Sequence, residues 1–167
     1  DIVLEAGPEN IGIVADESDL GGVRPVILGL NGAILGGPKA PWYEDRNGCY
    51  FGSHGYWSPE HLKNTPPTKA SNIFSYSLML LQLFGQGPVY DYNDFDGDFE
   101  SFYKGFNSVH KPNLRKVFRK NPTATTVADC LQRGLGSCPY GRPAAGELLD
   151  AINGKAINKL MVLDFDI

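Results

Sequence analysis

Ser71-Asn72-Ile73-Phe74-Ser75-Tyr76-Ser77-Leu78-Met79-Leu80-Leu81-Gln82-Leu83-Phe84-Gly85 places apolar side chains around most of a helical circumference and leaves no polar stripe wide enough to face water. A helix that is hydrophobic nearly all round is a buried one. At about 15 residues the stretch is too short to cross a bilayer, which takes roughly 20. Ser71 or Asn72 is the expected N-cap, because its side chain can accept from the open N–H groups of the first turn. Gly85 can adopt the left-handed conformation that ends a helix. The rest of the chain is therefore expected to pack around a central buried helix over 71–85.

A chain of 167 residues is the size of one domain and can bury about two-thirds of its unfolded surface in one core. Its net charge of −4 and the absence of a basic stripe argue against a nucleic-acid partner. The densest positive cluster, Lys116, Arg119 and Lys120, reads as a solvated helix face. With Gly 20 and Pro 12, long irregular connections should outnumber strands. Cys49, Cys130 and Cys138 lack metal-ligand spacing, which favours free thiols in a reducing intracellular compartment, although a Cys130–Cys138 bridge is geometrically open. No run of about 18 apolar residues is present, so no transmembrane segment is expected. The first residue is Asp1 rather than Met, and the chain is expected to be a fragment, a processed form or a sequence whose true start is missing, with which any targeting signal could have been lost.

Outward from the central helix, Ile11 to Val14 and Pro25 to Leu28 read as a β-hairpin joined by the turn residues Asp16 to Gly22. Gly29 to Gly37 is glycine-rich but has neither a Gly-x-Gly-x-x-Gly pattern nor a phosphate-loop lysine, so an irregular loop is expected. Residues 38–57 show no period, and Ser58 to Lys63 opens as a short helix. The loop Gly87 to Asp98 fails as a calcium site. With Gly97 at the sixth position, Asp94 and Asp96 take the third and fifth, but Tyr92 holds the first and Tyr103 the last. Residues 99–107, 113–120, 125–135 and 143–152 read as helices. His54, His61 and His110 are too scattered for zinc.

The order of these segments resembles the C-terminal lobe of a eukaryotic-type protein kinase. Gly52-Ser53-His54-Gly55-Tyr56-Trp57-Ser58-Pro59-Glu60 is similar to the Gly-Thr-x-Gly-Tyr-Met-Ala-Pro-Glu run that closes a kinase activation segment. Ser71-Asn72-Ile73-Phe74-Ser75-Tyr76-Ser77 resembles the Ser-Asp-Val-Trp-Ser-Phe-Gly start of the family's buried helix F. Cys130-Leu131-Gln132, Gly141-Arg142-Pro143 and Glu147-Leu148-Leu149 resemble the family's closing motifs. The resemblance implies a mainly α domain with a short β-hairpin. Residues 1–37 would hold a degenerate catalytic loop, the hairpin and the metal-motif region, 38–63 an activation-segment equivalent, 71–152 the helical core and 153–167 a tail. It also implies a buried ion pair between Glu60 and Arg142.

The same resemblance implies that the chemistry has gone. A kinase needs a catalytic Asp, an Asn and an Asp for magnesium, and a Lys on the transferring phosphate. The family's His-Arg-Asp falls on Val3-Leu4-Glu5, its Lys on Gly7 and its Asn on Asn10. Its Asp-Phe-Gly falls on Gly29-Leu30-Asn31, so the principal metal ligand becomes a residue without a side chain. Asn72 stands where the family has the Asp that braces the catalytic loop, Phe74 replaces Trp, and Ser77 replaces Gly. No glycine-rich strand pair or strand lysine precedes Asp1, so the N-lobe is expected to be absent and no cofactor is expected. Phosphorylation at Ser53 or Tyr50 is disfavoured, because the arginine that would receive the phosphate maps to Leu4.

The expected function is a catalytically inactive scaffold or protein-interaction module, within a larger assembly of other proteins. The alternatives are a fragment of an unusual active kinase using Glu5, Asn10 and Asn31, and a purely structural filler. Exposed aromatics at Trp42, Tyr43, Tyr50, Tyr90, Tyr92, Phe95, Phe99 and Phe102 favour an interface. A partner, a second copy or the 38–51 segment is expected over the apolar face of the hairpin that an N-lobe would cover.

Overall fold

A computed structural model of the chain describes residues 2–4, 6–18, 21–30, 33–35, 54–63, 65, 67–83 and 122–154. Their architecture is mostly helical with a two-stranded antiparallel hairpin, and among the described residues no helix is long and apolar enough to cross a membrane. Strand β1 (Ile2–Val3) leads through a 3-10 turn at Pro8–Asn10 into β2 (Ile11–Ala15) and β3 (Val23–Ile27), followed by β4 (Ile34–Leu35). The described helices are α1 (Pro59–Leu62), α2 (Lys69–Leu83), α3 (Pro122–Gly134) and α4 (Ala145–Ile152). The expected helices at 99–107 and 113–120, the acidic loop at 87–98, Cys49 and the aromatics proposed for an interface lie outside the described residues.

Helix α2 is the pillar, but it begins two residues before the expected start. The cap is Thr68 rather than Ser71 or Asn72: Thr68 Oγ1 accepts from Ala70 N–H at 3.2 Å, and Ser71 Oγ accepts from Thr68 N–H at 2.8 Å. Thr68 thus caps the N2 amide, and Ser71 at N3 makes the reach-back bond that Glu or Gln usually makes in a capping box. Phe74, Leu78, Met79 and Leu81 join Val127, Cys130, Leu131, Leu135 and Leu148 in one core. The helix does have an open stripe, contrary to the expectation. Lys69, Tyr76 and Leu83 are exposed and Asn72 and Leu80 half-buried, at the spacings of three and four that share a face.

Three serines of the pillar, Ser71, Ser75 and Ser77, are fully buried. Each is satisfied, as buried hydroxyls must be. Ser71 Oγ donates to Glu60 Oε1 at 2.7 Å, Ser75 Oγ to the Tyr56 carbonyl at 2.7 Å, and Ser77 Oγ to the Ile73 carbonyl at 2.7 Å. Ser77 and Gly134 mark a close approach of α2 and α3, since a Cβ added at Gly134 would lie 2.0 Å from Ser77 Oγ and 3.1 Å from Ser77 Cβ. Gly134→Ala is therefore expected to force the helices apart and cost about 1–3 kcal/mol, the usual penalty of overpacking. Chemical denaturation of the two proteins checks it, and equal midpoints would show that the helices yield without cost.

The hairpin pairs Ile11 with Ile27, Ile13 with Pro25 and Ala15 with Val23, so its second strand starts two residues earlier than expected. The glycine-rich loop contains β4, which pairs antiparallel with β1 through Ile2 with Leu35 and Val3 with Ile34. Two-residue strands carry no period, so this pair was not visible as a pattern. Cys130 and Cys138 are both free thiols, one buried and one exposed, so the bridge left open by their spacing is not made. Burial, the largest influence, together with the Glu147 charge pushes the Cys130 thiol up. His61 is a core histidine, stacked on Trp57 with ring centroids 4.3 Å apart.

Candidate functional site

Two groups of the singled-out residues come together, both engaging the first turn of α2. The first begins with β1, which runs against the pillar with Val3 buried. The Leu4 N–H donates to Asn72 Oδ1 at 2.9 Å, so the first turn of α2 braces the segment that precedes β2 across 68 residues of sequence. Asn10 closes the next turn, its Oδ1 accepting from Gly7 N–H at 3.1 Å while its own N–H donates to the Gly7 carbonyl at 2.9 Å. Pro8 fits the start of that 3-10 turn because its missing N–H would have no partner there.

Gly29 follows the hairpin at φ +66°, in the left-handed region that favours glycine. A Cβ added there would lie 3.1 Å from Asn10 Nδ2. Positions 10 and 29 are thus neighbours in space, but what they offer is an amide already engaged with Gly7 and a bare backbone. Among the described residues no group of three or more His, Cys, Asp or Glu could hold a metal ion. Glu5 and Asn31 lie outside the described residues. Gly7 is buried, and a Cβ there would meet the Glu9 carboxylate at 2.5 Å, so a longer side chain at position 7 requires Glu9 to move aside.

The Asn72 brace has a measurable worth. Asn72→Ala leaves the Leu4 N–H without this acceptor and is expected to cost about 1–3 kcal/mol, whereas Asn72→Asp keeps the acceptor and costs less. Hydrogen exchange at the Leu4 amide distinguishes a local effect, and an unchanged exchange rate in Asn72→Ala would show that the bond does not hold the segment.

The second group is the Glu60 and Arg142 node. The guanidinium, with its side chain fully buried, meets the carboxylate bidentately: Nη1 donates to Oε1 at 2.6 Å and Nη2 to Oε2 at 2.7 Å. Arg142 Nε donates to the Gly136 carbonyl at 3.0 Å, and Nη1 also reaches the Ala70 carbonyl at 2.9 Å. Its Cζ lies 5.1 Å from the centroid of the Phe74 ring. One side chain therefore joins α1, the start of α2, the end of α3 and the turn before α4. Burial pushes the Glu60 carboxyl up, but the hydrogen bonds from Arg142 and Ser71 and the guanidinium charge outweigh it and hold the carboxyl below the usual glutamate range.

Two supporting contacts carry no signature in the sequence. Tyr56 Oη donates to Gln82 Oε1 at 2.6 Å, and burial, aided by the Glu9 charge, pushes the phenol up to about 12. Arg133 meets Glu147 through Nη1 at 2.5 Å and Nη2 at 3.3 Å, pinning α3 to α4. Signals for the other supports were present: Thr68 three residues before Ser71, and Ser71 four before Ser75, mark a cap and a common face. The chain matches no protein-family model and no curated protein.

Proposed function

We propose that the chain is a degenerate protein-kinase-like C-lobe without phosphotransfer activity, working as a protein-interaction module in a larger assembly. The observation that carries this is the contrast between the two groups. The bidentate node of Glu60 and Arg142, in which a kinase would tie its activation segment to its last helices, is fully built. The place beside Asn10 where the kinase metal ligand maps is Gly29, which has no side chain to bind with. The Asn72 contact to Leu4 supports the same alignment, because it joins the pillar to the segment on which the family's catalytic residues fall.

The reading requires that Mg-ATP leave the protein unaffected. A site with a dissociation constant of about 0.1 mM would gain about 2.7 kcal/mol at about 10 mM ligand, which for a domain of this size raises Tm by roughly 5–11 °C. The expected result is no shift and no transfer of labelled phosphate to a generic protein substrate. A shift of that size, or transfer, overturns the proposal.

A further inference from the structure

The β2–β3 hairpin has two outer edges of different character. Leu28 N–H donates to the Asn10 carbonyl and Asp16 N–H to the Gly22 carbonyl, so with the observed register the even-numbered residues of β2 turn their amides toward β3. Ile11, Ile13 and Ala15 on β2, and Val23, Pro25 and Ile27 on β3, turn theirs outward. On β3 the central outward position is Pro25, which has no N–H and blunts that edge. On β2 the outward N–H groups of Ile13 and Ala15 and the carbonyls of Ile11, Ile13 and Ala15 form an edge with which no strand pairs among the described residues.

The side chains beside the β2 edge are apolar, and all but Ile11, which is half-buried against the core, are open to solvent. Ile11, Ile13, Ala15, Val23, Pro25 and Ile27 share one face, with Ile13 64% and Ile27 48% exposed. A contiguous apolar face next to an unpaired edge is the form taken by strand-addition sites. Charge selects the occupant. Exposed Glu9 lies just before β2 and exposed Glu17 just after it, four residues to either side of Ile13. A second copy pairing antiparallel about Ile13 would set Glu9 of each chain against Glu17 of the other, and like charges placed opposite each other are destabilising.

We infer that the outer edge of β2 is a docking site for an extended segment of a partner protein, paired antiparallel, with apolar residues at alternate positions and a Lys or Arg at each end. The inference rests on the interaction-module reading and gives that module its surface. Backbone pairing supplies affinity, Ile13 and its neighbours select apolar side chains, and the flanking glutamates set orientation and register.

The probe is the peptide Lys-Thr-Val-Thr-Val-Thr-Val-Thr-Lys, titrated into the whole chain by isothermal calorimetry. Its valines would pair with Ala15, Ile13 and Ile11, and its lysines would meet Glu17 and Glu9. Saturable binding is expected, at least tenfold weaker when the valine amides are N-methylated and little changed when those of the second and third threonines are. Exchanging both lysines for glutamate is expected to weaken binding at least tenfold, and the Glu9→Lys, Glu17→Lys variant should prefer the glutamate peptide. These modifications lie on the peptide or on exposed side chains, so the comparison does not depend on a core variant folding. No binding, equal binding by both N-methylated peptides, or a dimer of the chain that the peptide fails to dissociate would each overturn the inference. A Mg-ATP shift strikes instead at the functional reading, so the two failures are separable.

Discussion

Replacing Glu60 by alanine is expected to lower the unfolding free energy by about 3–5 kcal/mol, because it strands the buried Arg142 guanidinium without its carboxylate. In a domain of this size each kcal/mol moves Tm by roughly 2–4 °C, so thermal melting should fall by roughly 6–20 °C. Arg142→Ala should cost at least as much, since it also leaves the Gly136 and Ala70 carbonyls without their guanidinium donors. Arg142→Lys cannot rescue it, because an ammonium lacks the planar fork that meets both carboxylate oxygens and two carbonyls together. The pair also has a pH signature. The folded carboxyl titrates below its unfolded value of about 4.3, so its contribution is complete above that value and is lost as pH falls through the folded one. In Glu60→Gln this part of the acid dependence should vanish. Unchanged melting of Glu60→Ala at neutral pH would show that the node is not a support.

How much of this was legible follows the reach of each signal. The pillar was readable because its apolar residues exceed one face, and the hairpin because Asp16 to Gly22 separates two β-branched runs. The start of α2 lies two residues before the expected one, since Thr68, Ser71 and Asn72 are all competent caps in sequence and only the hydrogen bonds around Thr68 decide among them. The β1–β4 pair was missed because a two-residue strand has no period and its partner is more than thirty residues away. Glu60 and Arg142 lie 82 residues apart, and no local pattern joins them; only the family resemblance placed them together. The exposed face of the hairpin followed from its composition, but the asymmetry of its edges depends on hydrogen-bond register. Pro25 shows its meaning only once it is known to turn outward.

The second large effect is expected at Phe74, among the described residues the largest side chain with no exposure at all. Phe74→Ala removes a ring from the middle of the core, and the loss combines apolar transfer with the cavity left behind, about 3–5 kcal/mol. The ring also faces Arg142, and a cation held over an aromatic face is worth about 0.5–2 kcal/mol, toward the upper end where water is excluded. Phe74 therefore acts twice, as core volume and as the floor on which the guanidinium rests while it holds Glu60. The two roles separate in a double-mutant cycle. Phe74→Leu keeps most of the apolar volume and removes the ring face, so its cost should be smaller in an Arg142→Lys background than in the native one, with a coupling of roughly 0.5–3 kcal/mol between contacting residues. Chemical denaturation of the four proteins measures that coupling. If Phe74→Ala costs less than about 1 kcal/mol, or the cycle closes without coupling, the pillar and the ion-pair node stand independently, and the account of α2 as the element that carries Glu60 and Arg142 fails.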